Sequence, residues 1–458
     1  MRLMKTKTMS NKTIVKRHYF GTDGIRGRVG SEMMNPQFML RLAFAIGKVL
    51  LKNQQNKVLI GRDTRISGHM LESALQSGLN AAGVNVRLLG PIPTPALAYL
   101  TKSLNAAAGI VISASHNSAE DNGIKLFNSE GLKLSDDVEA FIEENLADGL
   151  FCVDSNHLGD SKTLIDAIPR YIEFTKNTFP NKLSLNQFKI VIDCANGAGF
   201  YVAPSILREL GAEVIPIFNT PNGMNINDHC GATNTQALQK AVLEHQADIG
   251  IALDGDADRL ALVDHQGQPL DGDEILAILI QQYRQQHPDQ SFGVVGTVMT
   301  NLGLEELLND MNVAFVRTKV GDRYVLEALL QRQWPFGGET SGHIICLNHT
   351  PTGDAMITSL QVLSAMIYSN KPLSELKKIL KKYPQIILNI PTNNKNIIHE
   401  SLTLKNLVQD VNKHLNDKGR LILRPSGTEP LIRIMLEGEN FQKINRFAHQ
   451  IADCIKTC

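Results

Sequence analysis

Ile249-Gly250-Ile251-Ala252-Leu253-Asp254-Gly255-Asp256-Ala257-Asp258-Arg259 joins a short apolar run to three carboxylates at alternate positions. The run, with Asp248 before it, reads as a buried strand that ends in an acidic loop, and α/β proteins put their sites on polar loops at strand ends. Two like charges about 4 Å apart repel by roughly 4 kcal/mol at an effective dielectric near 20, so the loop needs a cation or must take up protons. Carboxylate oxygens are hard ligands that suit Mg²⁺ or Ca²⁺. A helix-loop-helix calcium site counted from Asp254 requires Gly at its sixth position and Glu at its twelfth, where Arg259 and His265 stand. A merely solvated acidic turn is disfavoured by the apolar run that leads into it.

Outward from this stretch, short apolar runs alternate with segments of helical period, the pattern of α/β layers with largely parallel strands. Toward the N-terminus, strands are expected at 58–60, 84–89, 109–113, 189–193 and 213–217, and helices at 36–52, 69–82 and 203–210. Toward the C-terminus, helices are expected at 274–286, 302–311 and 324–333, and strands at 292–298 and 313–317. After Tyr383 and Pro384 the pattern becomes that of a small α+β domain, with strands at 385–390, 421–423 and 431–436 and helices at 400–415 and from Phe441. The expected organisation is a basic, disordered leader (1–18), three α/β domains (19–165, 166–268, 269–383) and an α+β domain (384–458).

Four further polar loops interrupt this pattern. Ile112-Ser113-Ala114-Ser115-His116-Asn117, followed by Asp121-Asn122-Gly123-Ile124-Lys125, offers Ser115 as a nucleophile, a phosphoryl carrier or a plain cap. No G-x-S-x-G elbow surrounds it, which disfavours a hydrolase triad, and a phosphoserine beside three carboxylates makes a natural Mg²⁺ site. Leu423-Arg424-Pro425-Ser426-Gly427-Thr428-Glu429-Pro430, with Arg433 beyond, reads equally as a phosphate cradle or an ordinary turn. Gly337-Gly338-Glu339-Thr340-Ser341-Gly342-His343 and Tyr19-Phe20-Gly21-Thr22-Asp23-Gly24-Ile25-Arg26-Gly27 mix glycine with side chains able to bind sugar hydroxyls or phosphate, although singly each could be only a turn. Together the loops describe phosphoryl transfer on a hydroxylated, phosphorylated substrate.

At these residues the chain resembles the α-D-phosphohexomutase superfamily, from Tyr19 to about the C-terminus. The resemblance implies that the domains surround a central cleft, that Ser115 carries the phosphoryl group, and that Asp254, Asp256 and Asp258 hold one Mg²⁺ with the phosphoserine, Arg259 being their neighbour. It implies that Glu339 and Ser341 bind sugar hydroxyls, and that Arg424, Ser426, Gly427, Thr428 and Arg433 bind the distal phosphate. Arg26 would offset charge on the transferring group, and Lys125, His343 and, more weakly, His116 are candidates for moving the hydroxyl proton. Softer text, Pro221-Asn222-Gly223, Asn225-Ile226-Asn227, Thr300-Asn301-Leu302-Gly303 and Val320-Gly321-Asp322-Arg323-Tyr324-Val325, looks most like the branch that interconverts glucosamine 6-phosphate and glucosamine 1-phosphate through a 1,6-bisphosphate. Ala257, Ser118 and Thr340 depart from the residues usual at their positions, and Thr340 lies in the sugar loop. The same fold acting on glucose or mannose phosphates is the nearest alternative, followed by a metal-dependent sugar phosphatase and a non-catalytic sensor. A homodimer is a family expectation.

An apolar share of 43% and a charged share of 20% sit near globular averages. Among 458 residues, 46 basic and 46 acidic side chains leave no net charge, so nothing global points to nucleic acid or an anionic membrane. Six cysteines are scattered without a C-x-x-C pair, as in a reducing cytoplasm, and the first seventeen residues are basic but lack the apolar centre of a secretory signal.

Overall fold

Short strands buried on both faces set the layout, as near-continuous apolar runs do when helices cover a parallel sheet on both sides. The computed structural model describes residues 17–21, 23–51, 56–146, 149–150, 152–392, 394–425 and 430–457. Most of the basic leader (1–16) and Ser426, Gly427 and Thr428 lie outside the described residues. Contacts divide the chain into two compact units, one of residues 1–298 with 316–377 and one of residues 299–315 with 378–458.

The first sheet contains β1 (Ile25–Arg28), β2 (Lys57–Arg62), β3 (Asn85–Pro91), β4 (Ala108–Ile112), β5 (Asp121–Asn128) and β6 (Ser161–Thr163), in the order β1-β5-β4-β2-β3-β6. The second contains β7 (Lys189–Asp193), β8 (Glu213–Ile217), β9 (Ile249–Leu253), β10 (Leu260–Asp264) and β11 (Pro269–Leu270), in the order β11-β10-β9-β7-β8. The third contains β12 (Gly293–Thr297), β13 (Ala314–Thr318), β14 (Phe336–Gly338) and β15 (Ile344–Cys346). In the C-terminal unit, β16 (Gln385–Pro391), β17 (Gly419–Pro425) and β18 (Leu431–Gly438) form an antiparallel sheet with β18 central. Helices Leu402–Leu415 and Phe441–Thr457 of that unit contribute Leu404, Val411, Phe447 and Ile451 to a core with Ile432, Ile434 and Leu436.

The first three sheets are mixed: the parallel strands expected form the body of each, and antiparallel strands flank them on one side. Parallel pairs β2–β4, β7–β9 and β12–β14 are each followed by an antiparallel neighbour, respectively β5, β10 and β15. A parallel partner needs a crossover of a dozen or more residues, whereas a loop of a few residues can only turn the chain back beside itself. The serine loop, the acidic loop and the sugar loop are those three turns. Two stretches expected to be loop are therefore strand: Asp121–Asn128 is β5, and Ile25–Arg28 is β1, paired with it. Their periodicity is hidden because β5 buries both faces, including Asn122 and Lys125.

Helix Ala355–Ser369 packs its first three turns almost wholly inside the first unit and starts at Asp354, whose Oδ1 accepts from the Met356 and Ile357 amides at 3.0 and 2.9 Å. The Tyr171 hydroxyl donates to Oδ2 at 2.8 Å. Burial pushes the Asp354 carboxyl up to about 6 in spite of these three bonds. With the folded value above an unfolded one near 3.9, its contribution to stability is present below about pH 4 and lost as pH rises through 6. Asp354→Asn keeps the capping oxygen and lets the Tyr171 hydroxyl accept instead of donate. Urea unfolding between pH 4 and 8 is expected to show the variant gaining on the native protein above pH 6, on the order of 2 kcal/mol. Parallel curves would contradict it.

Candidate active site

The turn between β4 and β5 holds Ser115 fully buried with φ +53°, in the left-handed region that costs a non-glycine residue about 1 kcal/mol. Such strain persists where the surroundings over-determine it. Ser115 Oγ donates to Asp254 Oδ2 at 2.6 Å and lies 3.4 Å from His116 Nδ1. The Ser115 amide donates to Ser113 Oγ at 2.9 Å, and Ser113 Oγ donates to Asp63 Oδ2 at 2.6 Å. Burial, then the charges of Arg259 and Arg26, push the His116 imidazole down to about 4, so it is neutral at physiological pH.

From the β9–β10 turn, Asp254, Asp256 and Asp258 converge, all buried, with one oxygen of each within 4.8 Å of the others. Asp254 Oδ1 accepts the amides of Asp258 and Arg259 at 3.1 and 3.2 Å. Lys125 Nζ donates to Asp256 Oδ2 at 2.7 Å and to Asp258 Oδ2 at 3.1 Å, and the Thr94 hydroxyl also donates to Asp256 Oδ2. The other oxygen of each, Asp256 Oδ1 and Asp258 Oδ1, is buried with no hydrogen bond. Burial, then Asp258 and Asp256, push the Asp254 carboxyl up to about 8. Three clustered hard oxygens, two orphaned acceptors and a carboxylate held up by its neighbours fit a divalent cation such as Mg²⁺. Gly255 lets this turn touch the serine turn, since a Cβ there would stand 2.5 Å from the Ser115 carbonyl oxygen.

Charged side chains ring this pair of turns. Lys125 is fully buried; burial lowers its pKa, but Asp23, Asp256 and Asp258 outweigh that and hold it well above the ordinary lysine range. Asp23 pairs with Arg26 and Lys133, and Lys133 also pairs with Asp322. Arg26 Nη1 donates to the Ala114 carbonyl at 3.4 Å. His343 is buried between Asp258 Oδ1 at 3.7 Å from Nδ1 and Asp322 Oδ2 at 3.5 Å from Nε2. Burial lowers its pKa, yet the two carboxylates raise it above the usual imidazole value. The Gly353 amide donates to Nε2 at 3.2 Å, which favours the neutral ring, so opposing influences meet on one imidazole.

Glu339 Oε1 accepts the Gly321 amide at 2.9 Å, and Ser341 is exposed on the β14–β15 turn. The Thr340 hydroxyl instead donates to Asp273 Oδ2 at 3.0 Å, so it is a contact to helix Gly272–Gln286. In the C-terminal unit Arg424 and Arg433 stand directly opposite each other across β17 and β18. Burial and then Arg433 lower the Arg424 pKa, and two guanidinium groups so opposed favour an anion beside them.

Profiles of the phosphoglucomutase/phosphomannomutase family match almost the whole described chain: alpha/beta/alpha domain I at residues 17–151, domain II at 169–267, domain III at 271–383 and the C-terminal domain at 373–454. The chain belongs to this family. Phosphohexomutases of known name align along nearly their full length. Phosphoglucosamine mutase of Coxiella burnetii is 51% identical over 442 residues, 96% of this chain and 99% of the relative. That of Cronobacter sakazakii is 52% identical over 443 residues, with the same coverage. Among solved structures, a phosphoglucomutase/phosphomannomutase family protein from Burkholderia thailandensis superposes with a TM-score of 0.79 at 22% identity, covering 94% of this chain and 97% of that one. Aspergillus fumigatus N-acetylphosphoglucosamine mutase, solved with GlcNAc-6P and magnesium, gives 0.68 at 18% identity and 96% of both chains, a likeness of fold.

Ser115, the three aspartates, Arg26, Lys125, His116 and His343 thus come together in this phosphohexomutase from five separated stretches of sequence. Sequence reasoning missed three contributors to the serine turn. Asp63 and Arg65 follow β2 in the polar stretch Arg62-Asp63-Thr64-Arg65, and the rule that picked out the other strand-end loops applies to it equally. Asn227, with φ +58°, donates from Nδ2 to the Ser115 and Asn117 carbonyls at 2.8 and 2.9 Å. Asn222 and Asn225 tie their own loop, Asn225 Oδ1 accepting the Asn222 amide at 2.9 Å. Of the departures, Ala257 has φ +58°, a conformation glycine adopts freely, and Ser118 contributes its carbonyl to the turn.

Proposed function

We propose that this enzyme interconverts glucosamine 6-phosphate and glucosamine 1-phosphate. The observation that carries the chemistry is Ser115 Oγ at 2.6 Å from a cluster of three buried aspartates. The choice of glucosamine is supported by relatives named phosphoglucosamine mutase that are 51–52% identical over 96% of the chain. Phosphorylated Ser115 passes its phosphoryl group to O1 of glucosamine 6-phosphate. The resulting 1,6-bisphosphate turns over without leaving. Ser115 then takes the phosphoryl group from O6, and glucosamine 1-phosphate is released.

Asp254, Asp256, Asp258 and a phosphoserine oxygen would hold one Mg²⁺, which when bound offsets negative charge on the phosphoryl oxygens. Lys125 and Arg26 add fixed positive charge beside Ser115, and such preorganised electrostatics supply most of the catalysis of this reaction class. His343, held between two carboxylates, is the group best placed among the candidates to take and return the sugar hydroxyl proton; Lys125, kept charged by Asp23, Asp256 and Asp258, has no lone pair for that role. Glu339 and Ser341 orient sugar hydroxyls, while Arg424 and Arg433, with Ser426, Gly427 and Thr428, offer an anion site on the C-terminal unit.

A coupled assay of the Ser115-phosphorylated protein with Mg²⁺ tests this, comparing kcat/KM for glucosamine phosphates with the glucose and mannose equivalents. Preference for glucosamine phosphate is expected. Preference for glucose or mannose would overturn the substrate and keep the mechanism, and release of inorganic phosphate without a hexose bisphosphate would make it a phosphatase.

A further inference from the structure

Arg65 is an arginine with no exposed surface, and every N–H of its guanidinium is spent. Nε donates to Asp63 Oδ2 at 2.8 Å. Nη1 donates to the carbonyls of Ser118 and, at 3.0 Å, Asp121. Nη2 donates to the carbonyls of Ser115 at 3.0 Å and Asn117 at 2.8 Å. Four of the five bonds therefore end on backbone oxygens of one turn, at 115, 117, 118 and 121. Asp63 closes the arrangement from the other side: it accepts the Arg65 amide at 3.0 Å and the Ser113 hydroxyl, which in turn accepts the Ser115 amide. The Asn227 side chain repeats two of the carbonyl contacts from a different element.

Burying an arginine is costly unless it is paired and fully hydrogen-bonded, and a plain stability role needs no convergence on one turn. Arg65 touches no reacting atom. What it grips is the backbone at and after the strained Ser115, while Asp63 holds the preceding Ser113, and the φ of +53° at Ser115 aims Oγ at Asp254. We infer that Arg65 is a positioning residue for phosphoryl transfer: with Asp63 and Asn227 it clamps the serine turn in the left-handed conformation that keeps Ser115 Oγ at the carboxylate cluster. The inference rests on Ser115 as the phosphoryl carrier.

A planar five-donor fork can make these bonds and an ammonium with three donors cannot, so Arg65→Lys keeps the charge opposite Asp63 and loosens the turn. Misplacing a reacting group by about 1 Å costs on the order of 100-fold in rate, and substrate binding, made by other residues, is spared. For Arg65→Lys, kcat is expected to fall about 100-fold with KM within about threefold of the native value. For Asn227→Ala, which leaves Arg65 in place, kcat should fall about tenfold at constant KM. Both are measured with glucosamine 1-phosphate and Mg²⁺ on protein first checked by circular dichroism and by incorporation of labelled phosphate at Ser115. A folded Arg65→Lys protein with native kcat, or one whose loss lies in KM, overturns the inference. Where Arg65→Lys fails to fold, Asn227→Ala decides it, and native kcat there overturns it. If the native protein itself takes no phosphate on Ser115, the phosphoryl-carrier assignment fails, whatever Arg65 does.

Discussion

Ser115→Ala is expected to lower turnover of glucosamine phosphate by at least about 10⁴-fold and to leave the chain folded, because loss of a covalent nucleophile removes the reaction path itself. Alanine tolerates the left-handed conformation at Ser115 about as poorly as serine does, so the backbone cost is unchanged. The loss in the folded state is the hydrogen bond to Asp254 and the longer contact with His116 Nδ1, and the Asp254 carboxylate keeps the Asp258 and Arg259 amides. Thermal unfolding followed by circular dichroism should therefore shift by a few degrees only, while the coupled assay reads background. Retained turnover in Ser115→Ala would remove the serine from the mechanism, and the cluster of aspartates would then need another phosphoryl acceptor.

Asp256→Asn should raise the Mg²⁺ concentration for half-activation by about 10- to 100-fold. Removing one of three charges in a buried site forfeits a few kcal/mol of attraction for a divalent ion at an effective dielectric near 20, partly regained through the relief of repulsion within the cluster. The amide keeps the size of the side chain, and Lys125 keeps Asp258 as a partner at 3.1 Å, so the fold is expected to survive. Two titrations check this. Activity against Mg²⁺ gives the half-activation shift directly. Thermal stability against Mg²⁺ gives it independently of turnover: a cation that binds the folded chain alone raises Tm by mass action, and the variant should need correspondingly more metal for the same rise. Coincident Mg²⁺ curves for the two proteins would place the metal elsewhere.

These two experiments probe residues that were legible from the chain alone. Ser115, Asp254, Asp256 and Asp258 sit in polar stretches directly after apolar strands, and both features are local. β7 and β8 were readable to the residue for the same reason, as were eight helices to within a turn, since burial patterning of period 2 or 3.6 is written in neighbouring positions; the helices Thr94–Ser103, Asp136–Asn145, Ala167–Lys176, Gln236–His245 and Ala355–Ser369 were not read. β5 was not legible, because a strand that buries Asn122 and Lys125 along with its apolar residues loses the alternation by which strands are recognised, and β1 is a four-residue strand with only Ile25 buried. The place of Thr340 in the sugar loop is readable from the chain, but the direction of its hydroxyl, toward Asp273, is not.

What the amino-acid sequence determined by itself was the set of chemical parts and the elements that carry them: strand-end loops with a serine, a carboxylate triplet, glycines for tight turns and arginines for anions. Only the tertiary structure decided that these parts meet. Ser115 and Asp254 are 139 residues apart, Lys125 and Asp256 are 131 apart, and Arg65 reaches Ser115 across 50. Local propensity carries no information on such pairings, because they follow from how whole sheets pack and from which turns that packing presses together. Arg65 shows the limit most clearly: an arginine read from sequence belongs in water by base rate, and only a fold that supplies an acceptor for each of its N–H groups can bury it.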